Sequence, residues 1–333
     1  MNEDFGDLSI DLSKKIEELH MLVTLFAGYK YFKAHDKLYS EEANTPKTLL
    51  KFYYSGKISR YHINFLTNSF INRYIKNECE LEGVHNKEEI QGMKVMYDEM
   101  VNLPNDEFEL FSLLGFHKAL YSKVPFPECG GKLRNKDYFL LNTNFEDDPN
   151  LKPVELDTYD SIFTDLIDLE DYFNKIKATG IKMKENNDYS HLFDYVKACC
   201  DLNCKLVKIH PFSDGNGRTI RCLTNKLFIT AGIPPVYINK KEAYEYRRGI
   251  NEAINQDAED NPNRLDSITS FYLYKICDSI IELDINIKEK ELTEKLKQER
   301  AKRDGVSLEK KKNKKRSNLM WTPNGRHHKK DSD

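Results

Sequence analysis

Residues His210 to Arg221 read HPFSDGNGRTIR, and this run decides how the rest of the chain is understood. His210 offers an imidazole whose ordinary pKa of about 6.5 lets it accept a hydroxyl proton near neutrality. Asp214 supplies a hard carboxylate oxygen of the kind that holds Mg2+ when phosphate oxygens complete the shell. Gly215, Asn216 and Gly217 carry little bulk, so successive backbone N–H groups can turn inward as an anion-binding nest. Ile220, Leu223 and Leu227 recur at helical spacing, and the run stops at Gly232 before Pro234 and Pro235. The nest is therefore expected at a helix N-terminus, where unpaired N–H groups and the macrodipole favour negative charge. Arg218 and Arg221, three apart on that helix, can fork onto phosphate oxygens. Each residue alone fits a cap, a turn glycine or a solvated arginine; the combination at this spacing does not.

The same twelve residues resemble the full signature of the Fic (Fido) domain, a family most of whose enzymes transfer AMP from ATP to a protein hydroxyl. The resemblance implies an all-α fold, a Fic-type helical core with a small β-hairpin flap. It implies His210 as base, Asp214 as Mg2+ ligand, Gly215, Asn216 and Gly217 as the phosphate cradle, and Arg218 and Arg221 as the grip on the β- and γ-phosphates. Family members that transfer a terminal phosphate carry lysine at the position of Gly217 and alanine at that of Gly215, so this chain resembles the nucleotidyl-transfer branch. The expected substrates are ATP and a Ser, Thr or Tyr hydroxyl on a target protein or on the chain itself. Another nucleotide, removal of AMP, and a non-catalytic adaptor acting through the basic tail are the alternatives.

Family-like features extend over about residues 101 to 285. GKLRNKDYFL, from Gly131 to Leu140, resembles the flap; its turn glycines and β-friendly apolar residues predict a hairpin. An exposed edge there, with Gly131, Lys132, Leu133 and Arg134, would hold a target segment by strand addition. Leu192, Val196, Cys199, Leu202, Leu206 and Ile209 predict a buried helix face leading into the loop. Asn203 stands where the family often has histidine, which puts a supporting hydrogen bond in question. Tyr244, Arg248 and Ile250 resemble the next helix, and residues 268–281 supply another apolar one.

Upstream, Glu78 to Gly83 reads ECELEG. It resembles the inhibitory helix of many Fic enzymes, in which a glutamate pairs with the second signature arginine. Glu82 and Gly83 match that motif, whereas Glu78 occupies its Ser/Thr position. A carboxylate on Arg221 would compete with the triphosphate. The competing reading is a solvated acidic helix face ending at Gly83.

The expected organisation is a helical N-terminal region over 1–100, a catalytic core over 101–285 and a basic, flexible tail over 286–333. The N-terminal region shows an apolar stripe at Ile16, Leu19, Leu22 and Leu25 or Phe26. Asn142 to Pro153 reads as a surface loop. With 39% hydrophobic and 32% charged residues, a soluble globular chain is expected, and runs such as Met21 to Ala27 are too short to span a bilayer. No membrane partner is therefore expected. Seven cysteines without a disulfide-like framework and an acidic start without a signal pattern predict a reducing, cytoplasmic setting, leaving nuclear entry and signal-independent export open. Cys199, Cys200, Cys204 and Cys222 raise the question of zinc, but lacking any CxxC pair they read as small core residues. Charge is segregated: from Lys288 onward 16 Lys/Arg face 8 Asp/Glu, +8 against −11 elsewhere and −3 in all. Lys288 to Arg303 could extend the last helix, whereas KKKNKKR at 310–316, Trp321, His327 and His328 read as disordered tail. Such a tail could hold an acidic partner or nucleic acid, though solvation is its commoner fate.

Overall fold

The computed structural model describes residues 60–125, 129–138, 153–256 and 261–319. The chain divides into two compact units, one of Phe26–Asp284 and one combining Met1–Leu25 with Ile285–Asp333. Among the described residues the fold is all-α. The helices are α1 (Arg60–Leu81), α2 (Lys87–Asn102), α3 (Ser112–Leu120), α4 (Ile162–Asn186), α5 (Leu192–Ile209), α6 (Asn216–Thr230), α7 (Ala243–Asn255) and α8 (Asp266–Leu319).

Helix α6 is the hub of the larger unit, contacting α2, α3, α4 and α5. The sequence stripe of Ile220, Leu223 and Leu227 accounts for only part of its burial: 13 of its 15 residues are buried. Polar residues on the remaining faces must therefore find partners inside the bundle. Asn225 clamps the backbone of Val236 from both ends of its amide, at 2.8 and 2.9 Å. The ammonium of Lys226 reaches the Leu103 carbonyl, and burial brings its pKa down to about 8. Thr224 returns its hydroxyl to Ile220 O and accepts from the Asn203 amide at 2.9 Å. Asn203 thus supports α6 from α5, which answers the question raised by its departure from histidine.

Helix α5 buries every residue of its predicted apolar face. Cys199, Cys200, Cys204 and Cys222 are all buried, and burial pushes the Cys204 thiol up to about 12. Such thiols are inert packing groups. Helix α1 buries Phe70, Tyr74, Glu78 and Leu81 on one face. It closes with the Val84 N–H donating to Cys79 O at 2.8 Å across Gly83 at φ 66°, a Schellman-type end that needs a residue without Cβ strain. This stop leaves Glu78 and Glu82, four apart, on the same side.

Two expectations are corrected. None of residues 131–138 lies in a strand; Phe139 and Leu140 fall outside the described residues. The segment spends its hydrogen bonds on the neighbouring loop rather than on a sister strand, as detailed below. The last helix also continues past Arg303 and through the lysine run to Leu319. The N-terminal stripe, residues 142–152, Trp321, His327 and His328 lie outside the described residues. Among those described, no helix is long and apolar enough to cross a membrane.

Candidate functional site

The site begins where α5 ends. His210 caps that helix in the left-handed region, φ 49°, with its N–H on Leu206 O at 2.9 Å. A non-glycine residue seldom adopts this conformation, and what surrounds it must hold it there. Arg134, 5% exposed, does much of that holding. Its Nε donates to His210 O at 2.7 Å, one terminal nitrogen reaches Ile209 O and Asp157 O, and the other donates to Lys136 O at 2.8 Å. Its backbone N–H donates to Pro211 O at 2.9 Å. A cation over the last carbonyls of α5 also suits the negative end of the helix dipole. Arg134 is therefore a buried brace of the loop; Lys132 beside it is exposed.

His117 supports the loop from below, stacking on Phe212 at 3.8 Å and 6°. Its Nδ1 accepts from the Gly131 N–H, and its Nε2 donates to Asp214 O, both at 2.9 Å. That pattern fixes the neutral Nε2–H tautomer, and burial lowers the pKa to about 4. Asn216 closes the loop, with Oδ1 accepting from Phe212 N at 2.9 Å and Nδ2 donating to Phe212 O at 2.7 Å. Its amide is thereby committed to the backbone.

Gly215 stands at the N-cap of α6 with φ 75°, and a Cβ there would come within 3.0 Å of Leu120 and Tyr121. A Cβ at Gly217 would meet Glu82 Oε1 at 2.5 Å and an Arg221 nitrogen at 2.9 Å. The two glycines thus admit close neighbours, as an anion cradle requires. His210, Asp214, Gly215, Asn216, Gly217, Arg218, Arg221 and Glu82 all line one cleft of about 300 Å³, together with Tyr246, Arg247 and Ile250.

Both arginines already hold carboxylates. Arg218, 2% exposed, pairs with Glu89 at 2.7 Å and donates to the Tyr121 hydroxyl at 3.3 Å. Arg221 pairs with Glu82 at 2.5 Å and with Glu78 at 2.7 Å. Burial would raise the Glu82 carboxyl, but Arg221 outweighs it and holds the group below its ordinary value. Burial pushes Glu78 above its ordinary value, against the pull of Arg221. Burial lowers the His210 pKa to about 4, against a hydrogen bond at the Val207 backbone that would raise it. Arg218 Nε is a buried atom with no hydrogen-bond partner. Such a group calls for an explanation, and a ligand in the cleft would provide one.

For a divalent cation the available donor is Asp214. Its side chain is 72% exposed, and its two oxygens accept one bond each, from Gly215 N at 2.7 Å and Tyr121 OH at 2.9 Å. Lone pairs remain on both. Among the described residues no group of three or more His, Cys, Asp or Glu side chains gathers as a metal cage. Mg2+ needs none when it keeps waters and shares one carboxylate with phosphate oxygens, so Asp214 fits it.

Glu78 as an Arg221 partner, Glu89, Tyr121 and His117 were not visible from the motif. In sequence Glu78 is a mismatch to the inhibitory motif or one residue of an acidic helix face, and no local pattern marks the other three.

The Fic/DOC family model matches residues 107–228. That match covers little more than a third of the chain. Among similar proteins, the "Protein adenylyltransferase Fic" of Aedes aegypti is 51% identical over 61 residues, 18% of this chain and 12% of that protein. The protein of that name from Nematostella vectensis is 49% identical over 53 residues, 16% of this chain and 12% of the relative. The matched stretches thus span about an eighth of those relatives. A Fic-domain-containing signaling protein from Bacteroides thetaiotaomicron superposes with a TM-score of 0.57 at 14% identity, covering 74% of this chain and 98% of that one. Residues 134–508 of Fic-1 from C. elegans give 0.50 at 13% identity, covering 88% and 99%. These likenesses establish the fold. The Fic/DOC match begins at residue 107, so Glu78, Glu82 and Glu89 come to its arginines from outside it.

Proposed function

We propose that this chain is a protein adenylyltransferase that moves AMP from ATP to a Ser, Thr or Tyr hydroxyl of a target protein, and of itself, with Glu82 as a brake. The observation that carries this reading is the meeting of His210, Asp214, the glycine cradle and both arginines in one cleft. The names of the similar proteins support it.

In the proposed reaction the acceptor oxygen bonds to the α-phosphorus while the bond from that phosphorus to the bridging oxygen breaks. The hydroxyl proton passes to the His210 imidazole, and pyrophosphate leaves. His210 is suited to this because its depressed pKa keeps it neutral at physiological pH. Positioning and charge stabilisation dominate such transfers, and the first turn of α6 with Arg218 and Arg221 supplies both. Mg2+, held by Asp214, would neutralise phosphate charge. Asn216 supports the α-phosphate indirectly, since its amide holds the loop closed on Phe212. Arg134 acts behind the loop, and target contact falls to the exposed neighbours such as Lys132. Glu82 occupies Arg221 where the terminal phosphate would sit, so nucleotide and glutamate compete for one guanidinium.

The test is intact-mass measurement of the protein and of its Glu82→Gly variant after incubation with Mg2+ and each nucleoside triphosphate. A gain of one AMP unit, with ATP and above all in the variant, is expected. No nucleotidyl gain on either protein, nor on added protein acceptors, would refute the reading.

A further inference from the structure

The Arg221 site holds one more carboxylate than a brake requires. Glu78 is fully buried, and its Oε2 accepts from Arg221 Nε at 2.8 Å and lies 2.7 Å from a terminal nitrogen. Its Oε1 is buried without a partner. Glu82 meets the same terminal nitrogen at 2.5 Å, but its side chain keeps 30% exposure. Both Glu82 and Arg221 line the cleft, and Glu78 is not among the lining residues. One glutamate can be exchanged for a ligand; the other is sealed behind the arginine.

We propose that Glu78 is a positioning residue for the AMP transfer proposed above, a fixed counter-ion that keeps Arg221 aimed into the cleft once Glu82 has withdrawn. The inference rests on that reading of the site. A guanidinium that is 4% exposed cannot stand unpaired in a helical interior between the departure of Glu82 and the arrival of nucleotide. Glu78 removes that penalty without entering the cleft. Holding Nε and one terminal nitrogen also fixes the plane of the fork, because guanidinium N–H directions are rigid. The other terminal nitrogen then lies against Gly217, at the first turn of α6. With Glu78 ionised, the net charge of Arg221 is cancelled, so its hold on a phosphate comes from aimed N–H groups. A serine or threonine, found here in the motif that ECELEG resembles, would supply neither the charge nor this two-point grip.

The test compares binding of the α,β-methylene analogues of ATP and ADP, with Mg2+, by titration calorimetry. These analogues cannot release their leaving group, so binding is read without turnover. The Glu82→Gly protein should prefer the triphosphate. Adding Glu78→Gln should cut triphosphate affinity by about tenfold, the worth of an aimed bond to a charged group, while diphosphate affinity holds. If both affinities fall together in a folded protein, Glu78 is merely structural and the inference is wrong. A rise in triphosphate affinity would make Glu78 a second competing anion, which also overturns it. Glu78→Asp, which keeps the charge but shortens the reach, serves if the glutamine variant folds poorly, with the same loss expected. Absence of triphosphate preference in the Glu82→Gly protein itself would instead strike the assignment of Arg221, and the inference with it. Failed AMP transfer with the preference intact would strike the reaction alone.

Discussion

The loop of residues 210–217 and the acidic wall of α1 and α2 face the same two arginines, yet they are built on opposite principles. The loop is local: Asn216 closes on Phe212 four residues away, and Gly215 opens the helix that carries the arginines. The wall is remote, since Glu89 reaches Arg218 across 129 residues and Glu82 and Glu78 reach Arg221 across 139 and 143. The loop offers the start of α6 and a neutral imidazole; the wall offers negative charge, which under the proposed function a nucleotide must displace or accommodate. Under the proposed function the site carries its chemistry in one short segment and its restraint in another that folds back onto it.

The largest effect should come from breaking the loop side. His210→Ala should reduce AMP transfer by about 10² to 10⁴ or more, the usual worth of a positioned base. Nucleotide binding, followed by calorimetry, should stay nearly intact. Loss of binding along with transfer would mean that the imidazole serves the nucleotide and not the acceptor.

On the wall side, Glu82→Gly should raise transfer and tighten ATP binding by about ten- to a hundredfold, the range for a charge-assisted bond. Labelled ATP measures the first and titration the second. Equal values in both proteins would reduce the Glu82 contact to an ordinary ion pair.

A third substitution asks whether the loop stands by itself. Asn216→Ala removes both bonds to Phe212, leaving a buried N–H and C=O unpaired, and should cost about 2 to 4 kcal/mol of stability. Urea denaturation with the Glu82→Gln variant alongside gives the comparison. A loss confined to activity would show that the Asn216 amide meets the nucleotide directly.

The smallest effects are in pH dependence, and the two regions should differ there. Burial lowers His210 to about 4, below an ordinary value of about 6.5. Between these values the unfolded chain binds a proton that the folded one refuses, so stability is lost as pH falls from the upper value to the lower. NMR titration of the ring without nucleotide should find it neutral down to this acid range. Glu82, lowered by Arg221, contributes stability above the ordinary carboxylate pKa and loses it as pH falls through its folded value. The stability difference between the parent protein and Glu82→Gln should therefore shrink in acid. A difference that grows there would contradict the pairing.

Much of the fold was legible because its signals are periodic and short. The apolar face of α5 and the stop of α6 at Gly232 followed from helical spacing and turn chemistry. Other parts depended on what lay nearby. Residues 131–138 have the composition of a hairpin, but Arg134 N–H goes to Pro211 O and its side chain to the end of α5, so β-friendly residues form no strand among those described. Composition could not foresee that competing partner. Glu78 illustrates the same limit more sharply, as a mismatch to a motif in sequence and a fully buried Arg221 partner in space.

By itself the sequence determined the buried face of α5, the glycine-opened helix and the set of groups that converge in the loop. These follow from dihedral preference, apolar period and side-chain chemistry, all of which act within a few residues. Only the tertiary structure decided that His210 is buried, that Asn216 is spent on the backbone, and that three glutamates stand against two arginines. The reason is that burial, pairing and the pKa shifts they cause depend on distances through space, and helix packing sets those distances between residues far apart in the chain.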